Sequence, residues 1–180
     1  MKAIETKYNG YRFRSRLEAK WAVFFDAAGI KYEYEPEGYD LGEAGWYLPD
    51  FWLPELKVFV EIKGKALSES EELKIKVLSE HNPILLLKQI PSPDDPCSWY
   101  YDNGDNEAGS MYKGGGFWDR AYLFCTCPVC GKIGIEFDGR GARVDDCCPN
   151  SDKGYSYDDP RFINAYTKAR QARFEHGEHP

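Results

Sequence analysis

Lys57-Val58-Phe59-Val60-Glu61-Ile62-Lys63 is the stretch on which the fold turns. Successive side chains of a strand leave opposite faces, so Val58, Val60 and Ile62 point one way while Phe59, Glu61 and Lys63 point the other. The first row is apolar and asks for a core; the second ends on an acid and a base. Upstream, residues 46–53 form another extended segment, interrupted by Pro49 and closed by Pro54, which suits an edge or bent strand better than a central one. Residues 30–35 alternate, with Tyr32 and Tyr34 on one face, and predict a first strand.

Ahead of these strands, Ser15-Arg16-Leu17-Glu18 has the form of a capping box with Ser15 as N-cap, and Gly29 is a natural stop. A helix over residues 16–28 follows, with Leu17, Trp21, Phe24, Phe25 and Ala28 as its buried stripe and Glu18 at the stripe's edge. Downstream, the spacing predicts a helix over about 70–81 with Leu73, Val77 and Leu78 inward, then a short apolar strand over 84–88 that is buried and parallel. The order helix, three strands, helix, strand predicts an α/β fold, a mixed sheet flanked by helices, over residues 1–90. Residues 91–116 turn to Pro, Gly, Asp and Asn and predict a linker or long loop. A cysteine-bearing lobe is expected over 117–157. Within 158–180, Asp159 as N-cap and Pro160 at the first helical position open a final helix expected to reach Gly177.

Cutting a phosphodiester needs an activated water and relief of charge on the phosphoryl oxygens, and bound Mg²⁺ can supply both. Two protein carboxylates suffice for Mg²⁺, which keeps waters and takes substrate oxygens for the rest. If the second and third strands are hairpin neighbours, Asp50 and Glu61 converge on one ion, with the Ile62 carbonyl as an additional donor. Lys63, two residues on and on the same face, would touch the attacking water or the phosphate. Glu18 would bind a second ion or hold a water. Each residue also has a plainer reading: Glu61 and Lys63 as the wet face of a half-exposed strand, Asp50 as a turn residue after Pro49, Glu18 as a capping residue only. Carboxylates at 50 and 61 on opposite sides of the sheet would defeat the enzymatic reading.

The segments Arg14-Ser15-Arg16-Leu17-Glu18, Leu48-Pro49-Asp50 and Val60-Glu61-Ile62-Lys63-Gly64 together resemble the PD-(D/E)xK, or restriction-endonuclease-like, nuclease superfamily over roughly residues 10–90. The Asp-to-Glu step is eleven residues, short but typical of that superfamily. The resemblance implies a restriction-endonuclease-like core, Mg²⁺ (or Mn²⁺) on Asp50 and Glu61, a Lys63 that assists the water, and a Glu18 that completes the site. It implies an endonuclease acting on DNA and allows a homodimer. RNA cleavage by the same fold, or a non-catalytic zinc-containing module that binds nucleic acid or protein, are the alternatives. A small nuclease with a trailing cysteine cluster also resembles phage-encoded members, which would place it in the host cytoplasm.

Cys127-Pro128-Val129-Cys130-Gly131 has the form of a zinc knuckle, and Cys147 and Cys148 follow at a gap suited to a ribbon, with Cys125 as an alternative ligand. Structural Zn²⁺ is the expectation, a redox pair or buried thiols the alternatives. A hairpin of residues 133–137 and 142–144 would complete the ribbon. Trp99, Tyr100, Tyr101, Phe117 and Trp118 are expected to pack between the two lobes, or else to stack on unpaired bases.

The net charge of −7 argues against binding nucleic acid through bulk electrostatics. Its distribution is uneven. Residues 1–32 hold seven Lys or Arg against three acids, and residues 160–174 hold four bases and no acid. Arg12, Arg14, Arg16 and Lys20 are therefore the candidate nucleic-acid contacts. No apolar run approaches the ~20 residues of a membrane span, and the first residues are too polar for a signal peptide, so a cytoplasmic protein without a membrane partner is expected.

Overall fold

The computed structural model describes residues 5–94, 109–137 and 159–174. The chain opens with a hairpin, β1 (Thr6–Tyr8) and β2 (Tyr11–Phe13), followed by α1 (Arg16–Ala28). Ser15 caps α1, and Gly29 ends it at φ 75°, a left-handed turn that glycine adopts without strain. Next come β3 (Glu33–Tyr34), β4 (Tyr39–Asp40), a short 3-10 turn, and β5 (Trp46–Tyr47). The predicted hairpin neighbours then appear as β6 (Phe51–Leu53) and β7 (Val58–Ile62), with α2 (Glu69–Ser79) and β8 (Ile84–Leu87) after them. β9 (Gly109–Lys113), β10 (Gly116–Thr126), β11 (Ile133–Phe137) and α3 (Pro160–Gln171) complete the described elements.

Seven strands form one mixed sheet in the order β11-β10-β9-β8-β7-β6-β3. β7 and β8 pair in parallel, and every other pair in that sheet is antiparallel. α1 and α3 lie on one face, where Val58, Val60, Ile62, Leu85 and Leu87 meet Phe24, Phe25, Phe162 and Tyr166. The Phe24 ring stacks on Tyr166 with centroids 4.6 Å apart. α2 covers the other face through Ile75 and Leu78, which pack with Phe59, Ile84, Leu86 and Tyr112. The alternation predicted for β7 is therefore the observed one, and the architecture is mixed α/β.

Parts of the expected organisation differ from the structure. The described part of the expected 117–157 lobe is not set apart from the core, because β10 and β11 extend the main sheet. Part of the expected 91–116 linker is a buried strand, β9. The reason lies in β8, whose four residues are all buried: a strand apolar on both faces sits inside a sheet and needs a neighbour on each side. Residues 133–137 pair with β10, while 142–144 lie outside the described residues. Leu73 is 51% exposed, and the face α2 buries is Ile75, Leu78 and Ser79. α3 ends at Gln171, where Ala172 turns extended with ψ 124°. Among the described residues, no helix is long and apolar enough to cross a membrane.

Candidate active site

Phe51 stands opposite Val60 in the antiparallel β6/β7 pair, so one further step along the register sets Asp50 opposite Glu61. Residues opposed in this way carry Cβ atoms about 4.5–5.5 Å apart and share one face. That face is the α2 side, since Glu61 has the parity of Phe59. Both carboxylates are 4% exposed, so neither is a solvated strand residue. Burying a carboxylate is unfavourable unless hydrogen bonds and opposite charges compensate it, and here every oxygen has a partner. Asp50 Oδ2 accepts from the Ile62 N–H at 2.7 Å, and Oδ1 accepts from Arg14 Nη2 at 2.6 Å. Glu61 Oε2 accepts from the Tyr47 hydroxyl at 2.7 Å, and Oε1 lies 3.0 Å from Lys63 Nζ.

Lys63 leaves the end of β7 on the same face and also donates to Glu71 Oε1 at 2.8 Å. Glu71 is held in turn by the N-terminal capping box of α2, with Ser68 as cap. The helix therefore starts at a cap two residues before the Ser70 suggested by sequence, and its third residue reaches the site. Glu18, 7% exposed, comes from the first turn of α1. Its Oε1 accepts from the Ser15 hydroxyl at 2.7 Å, and its Oε2 from the Tyr34 hydroxyl at 2.8 Å and the Arg14 N–H at 3.1 Å. That places Glu18 on the wall of the site with its oxygens turned into the scaffold. All four predicted residues line one cavity of about 310 Å³, together with Arg14 and Lys74. A larger cavity, about 540 Å³, is lined by Tyr8, Asp26 and Lys168 among others, and takes in none of these carboxylates.

The electrostatics follow from three acids in one low-dielectric pocket. Burial, and then the like charges of Glu61 and Glu18, push the Asp50 carboxyl well above the usual carboxylate range; the Ile62 amide and Arg14 offset this only in part. Burial works against the Lys63 ammonium, but Glu61 and Glu71 outweigh it and raise its pKa, so the side chain stays a cation. Glu71 falls to about 2, chiefly through its hydrogen bond from Lys63. Tyr47 is raised by burial and by Glu61, which keeps its hydroxyl a donor.

The donor set suits a hard divalent cation: all oxygen, all from carboxylates, and more negative than Arg14 and Lys63 neutralise. Among the described residues, no three His, Cys, Asp or Glu side chains are gathered as a metal site. Asp50 and Glu61 are the two residues that could hold such an ion, since Mg²⁺ is usually bound through one or two protein carboxylates with water in its other positions.

Of the predicted basic contacts, only Arg14 lines the cavity. Its Nε pairs with Glu35 at 2.7 Å while its Nη2 holds Asp50, so it is part of the site's own charge balance. Arg12 is exposed and lies 3.5 Å from Glu5, and Arg16 and Lys20 are not on the cavity wall. Sequence reasoning also missed Tyr34, Tyr47 and Glu71. The signal for Glu71 was its own capping box, Ser68-x-x-Glu71; the two tyrosines carry no local mark of their partners.

Cys125 and Cys127 are buried at the end of β10, and Cys130 is exposed in the turn that follows. The Gly131 N–H donates to the Cys127 carbonyl at 2.9 Å, and Gly131 takes φ 70°. Cys147 and Cys148 lie outside the described residues, as do Trp99, Tyr100 and Tyr101. Phe117 and Trp118 are exposed rather than packed between lobes. Comparison of the chain with protein-family models, curated proteins and solved structures finds no match.

Proposed function

We propose that the chain is a Mg²⁺-dependent endonuclease that hydrolyses phosphodiester bonds in DNA. The observation that carries this reading is the opposition of Asp50 and Glu61 across β6 and β7, buried on one face with Lys63 beside them. Asp50 and Glu61 would hold the ion. A bound Mg²⁺ would supply Lewis-acid stabilisation of the phosphoryl oxygens and lower the pKa of a bound water. Lys63, kept protonated by Glu61 and Glu71, offers N–H donors to a phosphate oxygen or to the attacking water. Arg14 gives a planar guanidinium at the cavity wall, a geometry suited to phosphate. Glu18 fixes the backbone of Arg14 and the ring of Tyr34, which makes it a positioning residue.

The cysteines are read as a structural Zn²⁺ site on Cys127 and Cys130, with Cys147 and Cys148, or Cys125, completing it. Support comes from the tight turn closed between Cys127 and Gly131. The nuclease reading is tested by a cleavage panel of duplex, branched and single-stranded DNA and matched RNA with Mg²⁺. Cutting of DNA that stops on chelation is expected. Cleavage of RNA alone would transfer the reading to RNA, and cleavage of nothing would overturn it.

A further inference from the structure

We propose that Trp46 is a stacking platform for an unpaired nucleotide of the strand whose phosphate enters the Asp50–Glu61 cavity; this rests on the nuclease reading above. Trp46 is 62% exposed, whereas the next residue, Tyr47, is buried with its hydroxyl on Glu61. The indole is therefore carried one residue from the wall of the site and also lines the cavity. It is backed. A Cβ added at Gly38 would lie 2.2 to 2.6 Å from Trp46 Cζ2, Cε2 and Nε1, so the ring rests on main chain that only glycine leaves free. The β4/β5 arm that carries it is anchored by Tyr47 and by Tyr39, whose ring meets Phe59 edge-on at 5.6 Å.

The charges around the platform select a base over a phosphate. Glu37, Asp40 and Glu43 are exposed on the arm and repel a phosphate backbone there. Arg14, Lys63 and Lys74 line the cavity itself beside its carboxylates, whose charge the divalent cation of the nuclease reading would offset. A strand with its phosphates toward Arg14 and Lys74 and a base over Trp46 satisfies both signs. In a duplex the base faces are already stacked on one another, so the partner must be unpaired at that nucleotide. Phe117 and Trp118 do not compete for this role: Phe117 pairs with Tyr112, which neighbours Ile84, at the opposite end of β8 from the site.

The test is fluorescence anisotropy of labelled single-stranded DNA and of its duplex, titrated with the full chain without added Mg²⁺ and without chelator, so that cutting is off and bound Zn²⁺ is kept. Trp46→Ala is expected to weaken single-strand binding about 5- to 150-fold, the loss for one stacked base, with Trp46→Phe losing less and duplex binding unmoved. Gly38→Ala, which displaces the indole without altering it, should weaken single-strand binding in the same direction. Single-strand binding by Trp46→Ala equal to wild type, equal losses for single strand and duplex, or no single-strand binding by wild type would each overturn the proposal. Because binding is read without cleavage, such a result leaves the endonuclease reading to its own panel.

Discussion

Asp50 and Glu61, eleven residues apart, face each other across β6 and β7 from inside the protein, and each holds a cation of its own: Arg14 at 2.6 Å and Lys63 at 3.0 Å. A buried acidic pair with its own counter-ions is costly to build into a sheet.

Lys63→Met keeps the stem and removes the ammonium. DNA cleavage should fall about 10²- to 10³-fold, the loss for one group that stabilises transition-state charge. Since Glu61 and Glu71 hold Lys63 protonated, wild-type activity should show no fall attributable to Lys63 below about pH 10. A single-turnover pH–rate profile of both proteins checks this.

Asp50 makes stability depend on pH in an unusual direction. Its raised pKa means that the native state holds the proton longer than the unfolded chain, so stability declines as pH rises from the ordinary range near ~4 through the folded value. Asp50→Asn removes this slope. In chelator, the melting temperature of wild type relative to Asp50→Asn should drop steadily from mildly acidic to neutral pH. Glu71 acts oppositely and lower: its contribution is present above the normal range and is lost as pH falls toward about 2, and its exposure keeps it small.

Ser15→Ala removes the cap of α1 and the hydroxyl on Glu18 Oε1. A loss of about 0.5–2 kcal/mol is expected, with each kcal/mol lowering the melting temperature by about 2–4 °C. Thermal unfolding measures it.

Cys127→Ser should abolish copurifying zinc and leave the β6/β7 site folded. Elemental analysis of the purified proteins checks the first part, and Mn²⁺ titration the second.

What was legible in the sequence was local. α1 was bounded by Ser15 and Gly29 because each end has a residue type that satisfies orphan backbone groups. β7 was legible through its alternation, and β8 through its unbroken apolar run. Alternation gives the face of Glu61 but not what covers that face, so its burial under α2 and the β4/β5 arm was hidden. The pairing of Arg14 with Asp50 spans 36 residues, and β9 joins β8 across residues 88–108 of the chain; neither leaves a trace in local spacing. β4, two residues long, carries too few residues to show a period.

The central claim is that residues 50 and 61 share one divalent cation. Calorimetric titration of Mn²⁺ into wild type, Asp50→Asn and Glu61→Gln tests it most directly. Binding by wild type that is lost in both variants, each still folded by circular dichroism, is the predicted result; binding undiminished in either variant would contradict it.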